Sequence, residues 1–271
     1  MRPRENEAKI AAVQAVAWRR LGVAGRMRVA ADMSDDTRRV HADKIRRSNP
    51  SYSEDEVKRA LAKELYGEVS PSERRTTASS ISLEDALARL LNVLDVAHVP
   101  FMLTGSLAST AHGVPRATMD LDVVIDPPAV SADVLLATLA DAGWIVDGGE
   151  TAARQALAAR SHFVIVDEVT AWKVDLVVRR DRPFSVSEFA RRELLDVLGV
   201  RAWVASAEDT IVAKLEHAMR AGDATRRAQQ RRDIAGVISS RGAELDRTYL
   251  EHWVAELGLE HEWHQAASAR P

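Results

Sequence analysis

Apolar residues recur at helical spacing through the first quarter of the chain. Ile10, Val13, Val16, Ala17 and Leu21, with Trp18 beside them, predict a helix. Ser34-Asp35-Asp36 reads as a second helix start, running to Arg47 before Asn49-Pro50 breaks the chain. Ser53-Glu54-Asp55-Glu56 has the form of a capping box and opens a helix with Val57, Ala60, Leu61 and Leu65 on one face, ending at Gly67. Residues 1–76 therefore read as an all-helical region. The small and polar stretch from Ser70 to Ser80 reads as a linker or domain boundary. Ser82 then caps a helix to about Val96, with Leu83, Leu87, Leu90, Leu91 and Leu94 as its buried stripe.

After Pro100 the period changes. Phe101–Leu103 is a short apolar strand, a small-residue helix runs from Gly105-Ser106 to about His112, and a second strand runs from Asp120 through Ile125. Ser131 to Ala142 predicts a helix, residues 143–146 a short strand and residues 152–160 a further helix. His162–Val166 and Trp172–Val178, joined by a polar turn, predict a hairpin; residues 194–204, folded around Leu198-Gly199, predict another. Ser206-Ala207-Glu208-Asp209 starts a helix carrying Ile211, Leu215 and Met219, and two more follow at about 225–239 and 247–257. The expected class is α+β, with strands confined to residues 101–204 and helices on both sequence ends. The expected organisation is a helical region at 1–76, a core at 81–204 and a helical part at 205–271 belonging to the same catalytic unit.

Composition narrows this picture. With 271 residues, 46% of them hydrophobic, the chain can bury a substantial core. No run approaches the ~20 apolar residues that cross a bilayer, and no signal-type stretch follows the N-terminus, so a soluble cytoplasmic protein without membrane partners is expected. There is no cysteine, so any metal must be held by Asp, Glu or His. The net charge of −3 is uneven: residues 1–80 hold 17 Lys and Arg against 12 Asp and Glu, while the remainder holds 20 against 28. A basic first part on an acidic body fits a polyanion-docking module, although mixed-charge helices produce such imbalances routinely.

The chemistry gathers in Phe101–Asp126. Side chains alternate across a strand, so Asp120 and Asp122 share a face while Leu121 and Val123 point into a core. Paired carboxylates repel unless a cation lies between them, and a divalent metal is the usual answer. Gly105 permits close backbone approach at the strand-to-helix turn, and Ser106 is placed to cap a helix whose N-terminal N–H groups suit a phosphate. The bland alternative is two solvated aspartates on an edge strand. In Lys173-Val174-Asp175-Leu176, period two puts Lys173 and Asp175 on one face. If that strand neighbours Asp122, three carboxylates converge; otherwise it is a half-exposed strand with a surface ion pair.

Gly105-Ser106, Asp120-x-Asp122 and Asp175 together resemble the pattern of the DNA polymerase beta-like nucleotidyltransferase superfamily. Arg116-Ala-Thr118-Met-Asp120-Leu-Asp122 and Ser206-Ala-Glu208-Asp209 leading to Lys214 resemble the bacterial subgroup related to AbiEii-type toxins of toxin–antitoxin systems. The resemblance covers roughly residues 81–257. It implies a nucleotidyltransferase-fold mixed sheet and two Mg2+ ions held by Asp120, Asp122 and Asp175, with Asp175 assisting deprotonation of the acceptor. The implied reaction moves a nucleoside monophosphate from ATP or another nucleoside triphosphate onto an acceptor hydroxyl. It also implies a triphosphate held by Gly105, Ser106, Arg116, Lys214 and Asp233 of the Arg232-Asp233 pair. The implied acceptors are a tRNA 3′ end, a protein hydroxyl or a small metabolite, and the implied partner is a cognate antitoxin. Against this stands a non-enzymatic module whose basic helical region binds nucleic acid or protein. In a third reading the helical region acts on the site in cis, as a built-in antitoxin. His112 reads either way, His162 as a strand-end histidine with lining the site as its alternative, and the His261/His264 pair as tail histidines; Trp172 and Trp203 read as packing, and Arg226, Arg227, Arg231 and Arg232 as a nucleic-acid-steering signal diluted by local acids.

Overall fold

A computed structural model of the chain describes residues 3–67, 82–128 and 131–268. Three helices lead: α1 (Pro3–Ser48), α2 (Glu54–Tyr66) and α3 (Leu83–Val96). Then come β1 (Phe101–Leu103), α4 (Gly105–His112), β2 (Asp120–Ile125), α5 (Ala132–Asp141), β3 (Trp144–Val146) and α6 (Gly149–Ala158). The strands β4 (His162–Asp167) and β5 (Lys173–Val178) precede α7 (Pro183–Ala190) and the pair β6 (Glu193–Val197) and β7 (Val200–Val204). Four helices close the chain: α8 (Ala207–Arg220), α9 (Ala224–Arg241), α10 (Arg247–Glu256) and α11 (Glu260–Ala267). The class is α+β, as the periodicity predicts.

The chain forms two compact units, one of residues 30–103 and 117–186 and the other of residues 1–29, 104–116 and 187–271. In the first, five strands pair in the order β3-β4-β5-β2-β1. Only β2 and β5 are parallel; β1 pairs β2, β4 pairs β5 and β3 pairs β4 antiparallel, so this is a mixed sheet. The antiparallel β4–β5 pair is the predicted hairpin, and the crossover through α5, β3 and α6 makes β5 a parallel neighbour of β2. Leu83, Leu87, Leu90 and Leu94 of α3 are fully buried, whereas Leu91 is half-buried. Ser82 accepts the Asp85 N–H, and Ser53 with Glu56 forms the predicted capping box of α2. In the second unit β6 and β7 form the second predicted hairpin, and α4, α8 and α9 pack on one another with α11 against α8 and α9.

Several predictions of local structure are corrected. No helix starts at Ser34: α1 runs through it, and the Ser34 hydroxyl bonds back to the Ala30 carbonyl at 2.6 Å instead of capping. The break falls at Gly22, whose φ of 66° and ψ of −175° lie in a region open to glycine alone. The helix predicted from Ile10 to Leu21 is present as the first part of α1, with Val13, Val16 and Leu21 exposed; the side chain of Ile10 lies outside the description. The Ser70–Ser80 stretch also lies outside the described residues. Helices α7 and α11, each eight residues long, are additional to those predicted, and Pro183 at the first position of α7 suits a helix start.

Candidate functional site

In the unit of residues 30–103 and 117–186, the register of β2 on β5 sets Asp122 directly opposite Asp175 and Asp120 opposite Lys173. Asp120, Asp122 and Asp175 thus lie on one half-exposed face, while Leu121, Val123, Val174 and Leu176 are buried on the other. Lys173 is the cation among them. Its ammonium donates to Asp175 Oδ2 at 2.8 Å and stands 3.9 Å from Asp120 Oδ2. Burial works against its charge, but the bond to Asp175 and the charges of Asp175, Asp120 and Asp122 outweigh burial and raise its pKa. Among the described residues no three acidic or imidazole side chains are gathered around one point, and Asp175 is committed to Lys173. Thr118 Oγ1 donates towards the Asp120 backbone and carboxylate, at 2.9 and 3.2 Å. The donor set fits Mg2+ in kind, because hard carboxylate oxygens on one strand face are its preferred protein ligands. Lys173 is its competitor.

In the other unit, Gly105 takes φ 59°, as the turn after β1 requires of a glycine. Ser106 does not cap α4. It is the second residue of that helix, Thr104 stands at the cap position with no side-chain cap bond, and Ser106 Oγ instead accepts from Arg116 Nη2 at 2.6 Å. Arg116 also donates from Nε to Asp233 Oδ1 at 3.1 Å. Lys214, 4% exposed, donates to Asp233 Oδ2 at 2.7 Å and to Gln230 at 3.2 Å, and Gln229 donates to Asp233 Oδ1 at 2.8 Å. Burial alone would raise the Asp233 carboxyl; Lys214 and Arg116 more than reverse this, so its pKa lies below the usual range. Ser106, Arg116, Lys214 and Asp233, dispersed over more than a hundred residues of sequence, form one network. Gln229 and Gln230 join it without any signal in the sequence that sets them apart from other helical glutamines.

The remaining candidates have partners of their own. His112 is buried with Nε2 donating to the Ala205 carbonyl at 2.7 Å. His162 is exposed at the start of β4, opposite Val177 rather than Asp175. His261 and His264 lie on α11, whose Glu262 pairs with Arg231 at 2.8 Å. Arg226 pairs with Asp223, Arg227 donates to the Ala221 carbonyl and Arg232 to Gln229, so these arginines serve helix α9. Ser206 caps α8 by accepting the Asp209 N–H, and the buried Asp209 is bonded by Tyr249 at 2.5 Å and Arg191 at 3.3 Å. Trp172 is fully buried; Trp203 lies on the hairpin beneath the Arg192 guanidinium, 4.8 Å from its ring centre.

A family model, Rv0078B-related antitoxin, matches residues 19–81. No curated protein sequence matches the chain. Among solved structures, an antigenic nucleotidyltransferase-like protein from Paracoccidioides brasiliensis is similar over 69% of this chain and 93% of its own, at 21% identity and a TM-score of 0.44. The antibiotic-resistance factor ANT(2'')-Ia is similar over 67% of this chain and 97% of its own, at 17% identity and a TM-score of 0.43. A further structure of ANT(2")-Ia, in complex with adenylyl-2"-tobramycin, is similar at 17% identity and a TM-score of 0.43, covering 66% of this chain and 98% of that one.

Proposed function

We propose that this chain is a magnesium-dependent nucleotidyltransferase that moves a nucleoside monophosphate from a nucleoside triphosphate onto an acceptor hydroxyl, breaking the α–β phosphoanhydride bond and releasing pyrophosphate. The observation that carries the reading is the register of two adjacent parallel strands, which sets Asp122 opposite Asp175 with Asp120 on the same face. Asp120, Asp122 and Asp175 would hold the ions, which when bound supply charge neutralisation at the triphosphate and a more acidic acceptor hydroxyl. Asp175 takes up the acceptor proton, and Lys173, once displaced from it, remains as a cation beside the carboxylates. In the other unit, Arg116 and Lys214 are the cations that the resemblance assigns to phosphate. Their bonds to Asp233 and Ser106 hold both side chains in set positions, so little rotamer freedom is left to lose when an anion arrives.

The match of residues 19–81 to an antitoxin family, ahead of a stretch that resembles AbiEii-type toxins, supports a toxin–antitoxin context in which both partners occupy one polypeptide. A tRNA 3′ end or a protein hydroxyl is then the acceptor, in the cytoplasm. No described helix is long and apolar enough to cross a membrane. The test is incubation with each labelled nucleoside triphosphate, Mg2+ and a total RNA and protein extract. Label should enter one fraction and fall to background for Asp122→Asn. Equal transfer by the variant would sink the assignment.

A further inference from the structure

The N-terminal helices reach the acidic strands through three side chains. Ser34 of α1 accepts the Thr118 N–H at 2.9 Å, and Tyr66, the last residue of α2, donates to the Met119 carbonyl at 2.6 Å. Arg38 of α1 donates to the carbonyls of Thr170 and Ala171 at 3.2 and 2.6 Å, and to the Tyr66 hydroxyl at 2.5 Å. Thr118 and Met119 run directly into Asp120, and Ala171-Trp172 into Lys173. Because Arg38 bonds both the Tyr66 hydroxyl and the Ala171 carbonyl while Tyr66 bonds Met119, one chain of bonds through the phenol ties the starts of β2 and β5 together at the Asp120–Lys173 register pair.

These contacts are not incidental surface bonds. Arg38 is fully buried, its guanidinium 4.4 Å from the Trp172 ring centre, and a desolvated guanidinium is stable only where bonds compensate it. Ala171 takes a left-handed φ of 56°, a conformation costing roughly 1 kcal/mol that persists where surroundings impose it. Arg38 bonds the carbonyl of that residue. Ala62 and Tyr66 of α2 pack on Val166 and Ala171, adding an apolar seal. Burial raises the Tyr66 pKa, so the phenol stays protonated and donates to Met119. Ser34, Arg38 and Tyr66 all fall within the stretch that matches the antitoxin family.

We propose that this antitoxin-like segment regulates the acidic strands in cis, and that Tyr66 is the contact through which its docking restrains Asp120, Lys173 and Asp175. The proposal rests on the reading of Asp120, Asp122 and Asp175 as the acids of a nucleotidyltransferase. While Tyr66 is docked, the backbone on either side of the Lys173 ammonium is fixed and Asp175 stays bonded to it. Undocking frees the start of β5 and with it the bond that holds Asp175 to the Lys173 ammonium, so that Asp175 would be available to hold an ion.

The test uses the full chain, wild type beside Tyr66→Phe, which keeps the ring against Arg38 and removes only the hydroxyl, and Ser34→Ala, which touches β2 alone. Amide hydrogen exchange and nucleotidyl transfer are read on the same preparations. Tyr66→Phe should speed exchange in residues 118–124 and 172–178 together by about 5- to 10-fold, the worth of one such bond. Transfer should rise by a similar factor. Ser34→Ala should speed exchange in 118–124 only. Unchanged exchange in both strands, exchange rising evenly across the chain, or loosened strands with reduced transfer would each overturn the proposal. If wild type and variants transfer no label while both strands loosen together, the enzymatic reading fails and the cis coupling stands.

Discussion

His112 is a histidine whose protonation state is set by burial. Its Nε2 donates to the Ala205 carbonyl, which leaves Nδ1 as the unprotonated nitrogen, buried and without a hydrogen-bond partner. Protonation would place a charge there. Burial is the largest cause that lowers the pKa, to about 4; the Ala205 bond opposes it, Arg241 and Arg26 add repulsion, and Glu208 pulls the other way. Because the folded pKa lies below the unfolded value of about 6.5, the unfolded chain binds the proton first and stability is lost as pH falls through that window. Above pH 6.5 the contribution is complete. By pH 4 the loss reaches roughly 3 kcal/mol at ~1.4 kcal/mol per pH unit. Urea unfolding of wild type and His112→Gln at pH 7.5, 6 and 5 should give curves that converge on acidification, because glutamine takes up no proton. Parallel curves would show that His112 does not carry the slope.

At the scale of elements, the approach of α9 to the loop after α4 decides whether Arg116 meets Asp233. A Cβ on Gly113 would lie 2.8 Å from the Ser109 carbonyl oxygen, 2.9 Å from the Val237 nitrogen and 3.0 Å from the Gly236 carbonyl carbon, all backbone. Those atoms cannot yield without moving a helix. Gly113→Ala should therefore destabilise by about 2–3 kcal/mol and part Arg116 from Asp233. A Cβ on Gly236 is tight only against Val114 Cγ2, at 3.2 Å, a side-chain atom that can rotate away; the Val114 Cβ and backbone nitrogen lie at an ordinary contact distance of 3.5 Å. Gly236→Ala also gains up to ~1 kcal/mol of helix propensity, so it should leave stability near wild type. Thermal unfolding of the two variants checks the contrast, and equal melting temperatures would refute it. This contact also marks where the sequence is silent. The β1–α4–β2 stretch was legible because its turn glycine, small-residue helix and alternating acids lie within 26 residues and each has a local signature. The parallel register of Asp122 and Asp175 was open only as a conditional, since alternation gives the face of a strand but not its neighbour. Ser34 misled because a serine before two aspartates looks alike as a cap and as a mid-helix residue bonded to the preceding turn. That Ser106 serves Arg116, or that Tyr66 reaches Met119, depends on backbone paths of 10 and 53 residues that no local pattern encodes.

On the scale of the whole molecule, the segment matched by the antitoxin family model is built into the core of each unit. In one, Arg26 donates to the carbonyls of Thr110 and Ala111, bringing a cation to the end of α4 where the helix dipole favours it. In the other, Ser34, Arg38 and Tyr66 hold the starts of the acidic strands, and Asp35 accepts the Leu83 N–H at 2.8 Å. Removing residues 1–81 would uncover Val166, Ala171 and Trp172, at a cost of a few kcal/mol in apolar surface alone. It would also strip partners from the buried carbonyls of Thr110, Ala111 and Thr170, each worth about 1–3 kcal/mol when left unpaired. A chain of residues 82–271 should consequently unfold more than 10 °C below the full protein or aggregate, since a domain of this size loses a few degrees per kcal/mol. Supplying residues 1–81 as a separate chain should restore solubility, with the two pieces purifying together. A truncated chain that stays monodisperse and melts like the intact protein would mean that the segment is dispensable to the fold. Its action on the acidic strands would then have to come from a smaller set of contacts than those around Arg38 and Tyr66.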